Sequence, residues 1–265
     1  LNSERAYAWL RVPHQATNLP AILKLPPSGV NPVPPPPDKD THVELRLAIH
    51  GYDEDLSNWK VPPYPWPRAR YHVVGMRSKE TFFYRNVFMR CYRAATILAA
   101  MEEVDSDRIA TTGGSQGGGL AIVTAALYPD IALCAASIPG LCRLDWTVRH
   151  YTAWPVDRSD RPEGQTTDEW LNTLSYFDAA NFVGLVNCPV IGHVGWMDDI
   201  TMAPGQIAAF AQADKEQLSL YCSPWGRHGG NRRTQRLFSK AVRGFLEGGA
   251  VEDDQTWLIR KERPE

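Results

Sequence analysis

The chain has 265 residues, 43% of them hydrophobic and 22% charged, a balance that suits one large soluble α/β core. Its formal net charge is −2 and no basic block is longer than a few residues, which argues against nucleic acid or an anionic membrane as partner. No uninterrupted apolar run approaches the roughly 18 to 20 residues that span a bilayer.

In chain order, the sequence begins at Leu1 rather than Met. The expectation is that a leader or leading segment has been removed, with a secreted or periplasmic location favoured over a cytoplasmic one. Residues 1–40 hold two strand candidates, Ala6–Val12 and Leu19–Leu25, then Pro26-Pro27-Ser28-Gly29 and a proline-rich loop over Pro34–Pro37. Val43–Ile49 alternates as a strand should and ends at His50-Gly51-Tyr52. Residues 53–70 read as an irregular surface loop with Trp59, Tyr64 and Trp66 among prolines, and Tyr71–Gly75 as a short strand. From Phe83 to about Val104, apolar residues recur at spacings of three and four, which predicts a long amphipathic helix.

After it, Ile109–Thr112 predicts a strand, Leu120–Leu127 a buried helix and Ile131–Ile138 a strand buried on both faces. Residues 141–167, with Trp146, His150, Tyr151 and Trp154 among prolines and charges, read as an inserted, lid-like loop rather than core. Further elements are a helix at Thr167–Leu174, a strand at Pro189–Val194, a helix at Pro204–Ala213, a strand at Leu218–Cys222 and a closing helix at Thr234–Leu246. Strands alternating with helices predict a mostly parallel sheet with helices on both faces, in a single domain over residues 1–246. Residues 247–265 are expected to be a polar tail. The five cysteines, Cys91, Cys134, Cys142, Cys188 and Cys222, lack C-x-x-C spacing and read as buried free thiols.

The chemistry centres on Gly113-Gly114-Ser115-Gln116-Gly117-Gly118, a G-x-S-x-G string between a strand and a helix. That is the nucleophile elbow of the α/β-hydrolase fold. A serine hydroxyl needs a base, and the base a carboxylate to hold its tautomer. Among seven histidines, His14 and His42 come too early, His50 and His72 precede the elbow, and His150 lies in an irregular stretch. His193 falls inside a buried strand, whereas His228 follows the last strand in a glycine-bearing loop, where the triad base belongs. Asp198 and Asp199 both follow a core strand, and position alone does not choose between them. The oxyanion needs two N–H donors. Gln116 supplies one; Tyr52, two predicted strands before the elbow, is the candidate for the other, ahead of the loop at Ser28-Gly29.

With these residues laid out, the chain resembles carbohydrate esterase family 7, the acetyl xylan esterase and cephalosporin C deacetylase group. The likeness rests on Tyr84-Arg-Asn-Val87, Val104-Asp-Ser-Asp-Arg-Ile109, Gly113–Gly118, Leu174-Ser-Tyr-Phe-Asp178 and Gly195-x-x-Asp198, and covers roughly residues 80–246 well. The resemblance implies the α/β-hydrolase fold, with Ser115, Asp198 and His228 as triad and Gln116 and Tyr52 as oxyanion donors. It also implies removal of acetyl groups from acetylated sugars, xylo-oligosaccharides above all, with no metal or cofactor, and assembly into homo-oligomers in many members. The family commonly places glycine before and an acid after its histidine, where this chain has Arg227 and Gly229; its Arg-Gly-Gln has become Arg77-Ser78-Lys79. Trp196, just ahead of the acid, and Trp146 are candidates for stacking on the sugar, with packing the plain alternative. Two other functions are a prolyl-oligopeptidase-like peptidase, for whose propeller the chain has no room, and a non-catalytic carbohydrate-binding relative.

Overall fold

The computed structural model describes residues 7–29, 33–37, 41–49 and 70–248. Among the described residues seven strands form one sheet: β1 (Tyr7–Arg11), β2 (Leu19–Leu25), β3 (Val43–Ala48), β4 (Val104–Gly114), β5 (Leu133–Ser137), β6 (Val190–Gly195) and β7 (Leu218–Ser223). Their order is β1-β3-β2-β4-β5-β6-β7, and only β1, on the edge, runs antiparallel to its neighbour. This is the mostly parallel α/β-hydrolase sheet the sequence predicts.

Alternation along the strands divides the core in two. Ala21, Leu23, Leu25 and Ile109 face one side, with helices α1 (Phe83–Ala99) and α2 (Gln116–Leu127); Ile22 and Ala110 face the other. On α1 the buried side chains Tyr84, Val87, Phe88, Cys91, Ala94, Ala95 and Leu98 form one stripe. Residues 116–125 of α2 are all buried, as expected for a helix with no polar face.

Three shorter or later helices complete that scaffold: α3 (Leu144–His150), α4 (Thr167–Ser175) and α5 (Ala203–Phe210). The second sheet face is covered by α6 (Arg232–Leu246), which packs Ala241, Val242 and Leu246 on Ile22, Ala110, Leu133, Ala135, Ile191 and Tyr221. Asn231 caps α6 by accepting hydrogen bonds from the amides of Arg233 and Thr234, both at 3.0 Å. Beside α6 lies a cavity of about 830 Å³, lined by Lys24, His42, Glu44, Arg46, Arg243 and Leu246 among others. It sits where the crossover from β2 to β3 carries prolines and, among its described residues, no helix.

Two expectations are corrected. Tyr71–Gly75 is not a strand: Tyr71–Val73 forms a single 3-10 turn and the chain reverses at Gly75, whose φ is +71°. The β-branched Val73 and Val74 favour a strand locally, but among the described residues no strand pairs with them. The stretch 141–167 is not a loop outside the core. Leu144–His150 is helical, and Leu141, Cys142, Leu144, Val148 and Val156 are buried in the main cluster. Asp178 organises this region from the family-like Leu174–Asp178 motif. Its carboxylate accepts from the amides of Arg143 (2.9 Å), Leu144 (2.7 Å) and Ala180 (2.9 Å), and burial pushes its pKa up to about 6. All five cysteines are buried and free, as expected. Among the described residues no helix is long and apolar enough to cross a membrane.

Candidate active site

Strand β4 enters the elbow and α2 leaves it, with Ser115 between them at φ 57°, ψ −125°. A non-glycine residue in that region is strained, and the surroundings must hold it there. They do so through the Ser115 amide, which donates to Ser137 O at 3.0 Å, and the Ser115 carbonyl, which accepts from Gly140 N at 2.7 Å and Gly118 N at 2.9 Å. The flanking glycines are required by close approach. A Cβ on Gly113 would strike the Gly117 backbone, and one on Gly117 would strike the carbonyl of Leu25 at the end of β2.

The three triad candidates meet beyond the carboxyl ends of the strands. His228 Nε2 lies 3.1 Å from Ser115 Oγ, and His228 Nδ1 lies 3.0 Å and 2.9 Å from the two oxygens of Asp198. Asp198 is nearly fully buried and held on both oxygens. Oδ1 accepts from Ile200 N (2.9 Å) and Thr201 N (3.0 Å), and Oδ2 from Gln206 Nε2 (2.9 Å) and Thr201 Oγ1 (3.0 Å). Burial pushes its pKa up, but the hydrogen bonds from His228, Ile200 and Gln206 outweigh burial and leave it below the ordinary carboxylate value. Asp199 points away and pairs at 3.1 Å with Arg227 on the surface. Arg227, which stands where the family commonly has glycine, thus ties the turn after β6 to the histidine loop.

That loop is held by the core beneath it. Met197 N donates to Gly226 O at 2.9 Å, Asn231 Nδ2 to Ser223 Oγ at 2.7 Å, and Gly230 N to Arg227 O at 2.8 Å. His193 is the packed core histidine expected from its place in a buried strand. It is fully buried, hydrogen-bonds Ser137 Oγ and Thr234 Oγ1 at 2.9 Å each, and has its pKa pushed down to about 4 by desolvation.

Gln116 opens α2 directly after Ser115, so its backbone N–H has no acceptor within the helix. Its side chain is fully buried beneath the elbow. Oε1 accepts from Tyr71 Oη at 2.7 Å and Tyr84 Oη at 2.9 Å, and Nε2 donates to Pro26 O at 3.3 Å. Sequence reasoning missed this use of the Ser-Gln pair, although Tyr84 stands in the family-like Tyr84–Val87 motif. It also missed Thr201 and Gln206, which no local pattern marks.

The expectation for Tyr52 meets two facts. The residue, with His50 and Gly51, lies outside the described residues. The strand it follows, β3, is separated from β4 by β2, a distance of two strand spacings or about 10 Å. Because Tyr71–Gly75 is no strand, the strand two before the elbow in the chain is β2, and the loop beside Gln116 is Pro26–Gly29. Of the tryptophan candidates, Trp196 is 47% exposed beside the acid turn, with its indole directed at the Cys222 thiol. Trp146 is half-buried on α3, packed against Tyr151 at 4.6 Å and His150 at 5.7 Å between ring centroids, contacts that hold it locally. Trp154 lies nearer the chemistry: a Cβ on Gly140 would collide with its ring and stand 3.3 Å from Gln116 N.

Comparison with known proteins bears on the family and the fold. An acetyl esterase of Xylanibacter ruminicola is 26% identical over 203 residues, 73% of this chain and 46% of that protein, so the chain spans about half the length of the curated relative. The acetyl xylan esterase of Paenibacillus sp. R4 superposes with a TM-score of 0.73 at 24% identity, and acetyl xylan esterase 1 of a Thermoanaerobacterium species with 0.78 at 21%. Each match covers 93% of this chain and 80% of the other. The family model for acetyl xylan esterase matches residues 53–241, well over half the chain, and the chain belongs to the acetyl xylan esterase family.

Proposed function

We propose that this protein is a serine carboxylesterase that removes acetyl groups from acetylated carbohydrates, xylan fragments foremost, through an acyl-enzyme. The observation that carries the reading is the aligned Ser115–His228–Asp198 series at 3.1 Å and 2.9 Å on a strained elbow, in a chain of this family. Ser115 Oγ attacks the ester carbonyl as His228 Nε2 takes its proton. The carbonyl oxygen becomes an oxyanion and is met by the Gln116 N–H. His228 then returns the proton to the departing sugar hydroxyl and leaves acetyl-Ser115. Water attacks that ester with His228 again as base, and acetate is released. Asp198 holds His228 with Nδ1 protonated, so that Nε2 is free to accept.

The wild type is expected to hydrolyse p-nitrophenyl acetate and acetylated xylobiose and to leave aminoacyl-proline anilides untouched. Ser115→Ala should lower turnover by about 10⁴-fold or more. Retention of more than a few per cent of the rate, or faster cleavage of the anilide than of the sugar ester, refutes the reading.

A further inference from the structure

We propose that the backbone N–H of Ser28 is the second oxyanion donor, and that the Tyr71 hydroxyl is the clasp holding Ser28 and Gln116 in register. The inference rests on the esterase reading and supplies the half of the oxyanion hole that the elbow cannot provide.

The position follows from the sheet. Leu25 of β2 pairs with Gly113 of β4, two residues before Ser115, so the chain leaving β2 passes directly beside the head of α2. Leu25 and Pro26 sit so close to Gly117 that a Cβ there would collide with them. Pro26 O accepts from the Gln116 side chain, which pins the start of the loop to the elbow. The choice of donor within this loop is then settled by elimination. Pro26 and Pro27 have no N–H. The Gly29 amide interacts with the Tyr71 oxygen. That leaves Ser28, whose N–H finds no acceptor among the described residues, like the Gln116 N–H.

The clasp follows from proton accounting. Gln116 Oε1 can only accept, so Tyr71 gives it its single proton at 2.7 Å. The Tyr71 oxygen is then left to accept, and Ser28 Oγ, also at 2.7 Å, is the donor. Two hydrogen bonds therefore join the side chains of the two donor residues, and the Gln116 amide closes the ring through Pro26 O. Tyr71 is almost completely buried, and burial raises its pKa, so the hydroxyl stays protonated in its bridging role. The turn at Tyr71–Val73, in place of a strand, is what brings the hydroxyl under both residues.

The test compares Ser28→Ala, Ser28→Pro and Tyr71→Phe on p-nitrophenyl acetate, with thermal unfolding of each. Ser28→Ala removes the hydroxyl and keeps the N–H; Ser28→Pro removes both. Loss of one oxyanion donor typically lowers kcat by about 100- to 1,000-fold. Ser28→Pro should show that loss with KM within about threefold of wild type, while Ser28→Ala and Tyr71→Phe each lose roughly tenfold in kcat. The double variant Ser28→Ala/Tyr71→Phe should be no worse than the poorer single one, since both break the same contact. Should Ser28→Pro fail to fold, that cycle decides: fully additive losses, or losses carried in KM, overturn the clasp. Equal kcat for folded Ser28→Pro and Ser28→Ala overturns the donor assignment. An inactive wild type would instead refute the esterase reading itself.

Discussion

Replacing Asp198 by Asn tests the site at the point where the chain offers two adjacent acids. The carboxylate uses Oδ1 to receive the amides of Ile200 and Thr201, and Oδ2 to receive Gln206 Nε2 and the Thr201 hydroxyl, while His228 Nδ1 donates to both. An asparagine has one oxygen. Placed on the two backbone donors, it turns its NH₂ toward Gln206 Nε2 and His228 Nδ1. His228 can then remain neutral only by accepting at Nδ1 and carrying its proton on Nε2, the tautomer that cannot take the proton of Ser115. The rotated amide gives no escape, since its NH₂ would then face the two backbone N–H groups. We expect kcat to fall on the order of 10⁴-fold, about 5 kcal/mol in the barrier, with KM little changed. Asp199→Asn removes only an exposed 3.1 Å pair with Arg227, and we expect kcat/KM within about twofold of wild type. The assay is p-nitrophenyl acetate hydrolysis at pH 7 to 8, with circular dichroism to show that both variants fold. A folded Asp198→Asn enzyme with more than a tenth of wild-type kcat, or an Asp199→Asn loss of comparable size, would falsify the assignment.

Two further expectations come from residues around the triad. The Trp154 ring packs against Gly140, at a point where a Cβ would also stand 3.3 Å from the Gln116 donor, and we expect it to bound the acyl group. Trp154→Ala should raise the butyrate-to-acetate ratio of kcat/KM by roughly 15-fold, from two added methylenes at about 0.8 kcal/mol each; an unchanged ratio in an active variant would sink this. His193 titrates near 4 in the fold against an ordinary 6.5, so the unfolded chain binds its proton first as pH falls. Its contribution is complete above pH 6.5 and is lost between 6.5 and 4, amounting to about 2 kcal/mol at pH 5. Melting temperatures of wild type and His193→Gln measured from pH 7 to 5 should converge as the pH drops, and parallel curves would contradict the buried neutral histidine.

Much of this site was legible in the chain because its signals are local or ordinal. Ser115 sits in a short string whose flanks predict strand and helix, and His228 is the one histidine that follows the last strand. Asp198 needed the family likeness, and the structure gives the physical ground: the next residue, Asp199, turns out to Arg227. Less legible was the stretch 141–167. Its charges and prolines suggested a lid, yet Leu141, Leu144 and Val148 recur at helical spacing and are buried. A seven-residue helix is too short to stand out from its surroundings, and its start is fixed by Asp178, more than thirty residues away.

The oxyanion loop depends on the order of strands in the sheet, which the order along the chain does not give. Donors for an oxyanion belong to the strand that borders the elbow strand in space, and the chain supplies only an order along the sequence. Tyr52 is drawn to the site by its place at a strand end and by the His-Gly-Tyr loop of the family, and it lies outside the described residues. The sheet order makes β2 the neighbour, and the loop after β2 begins with two prolines. Two prolines argue against an oxyanion loop only if every amide in it is a candidate. Here they narrow the choice: with the Gly29 amide directed at Tyr71, the Ser28 N–H is the one left beside the elbow among the described residues of the loop. The same Tyr71 that was misread as a strand residue holds that N–H against Gln116 through two hydrogen bonds of 2.7 Å. Because its hydroxyl joins residues 43 and 45 positions away in the chain, no pattern within a short window could have announced it.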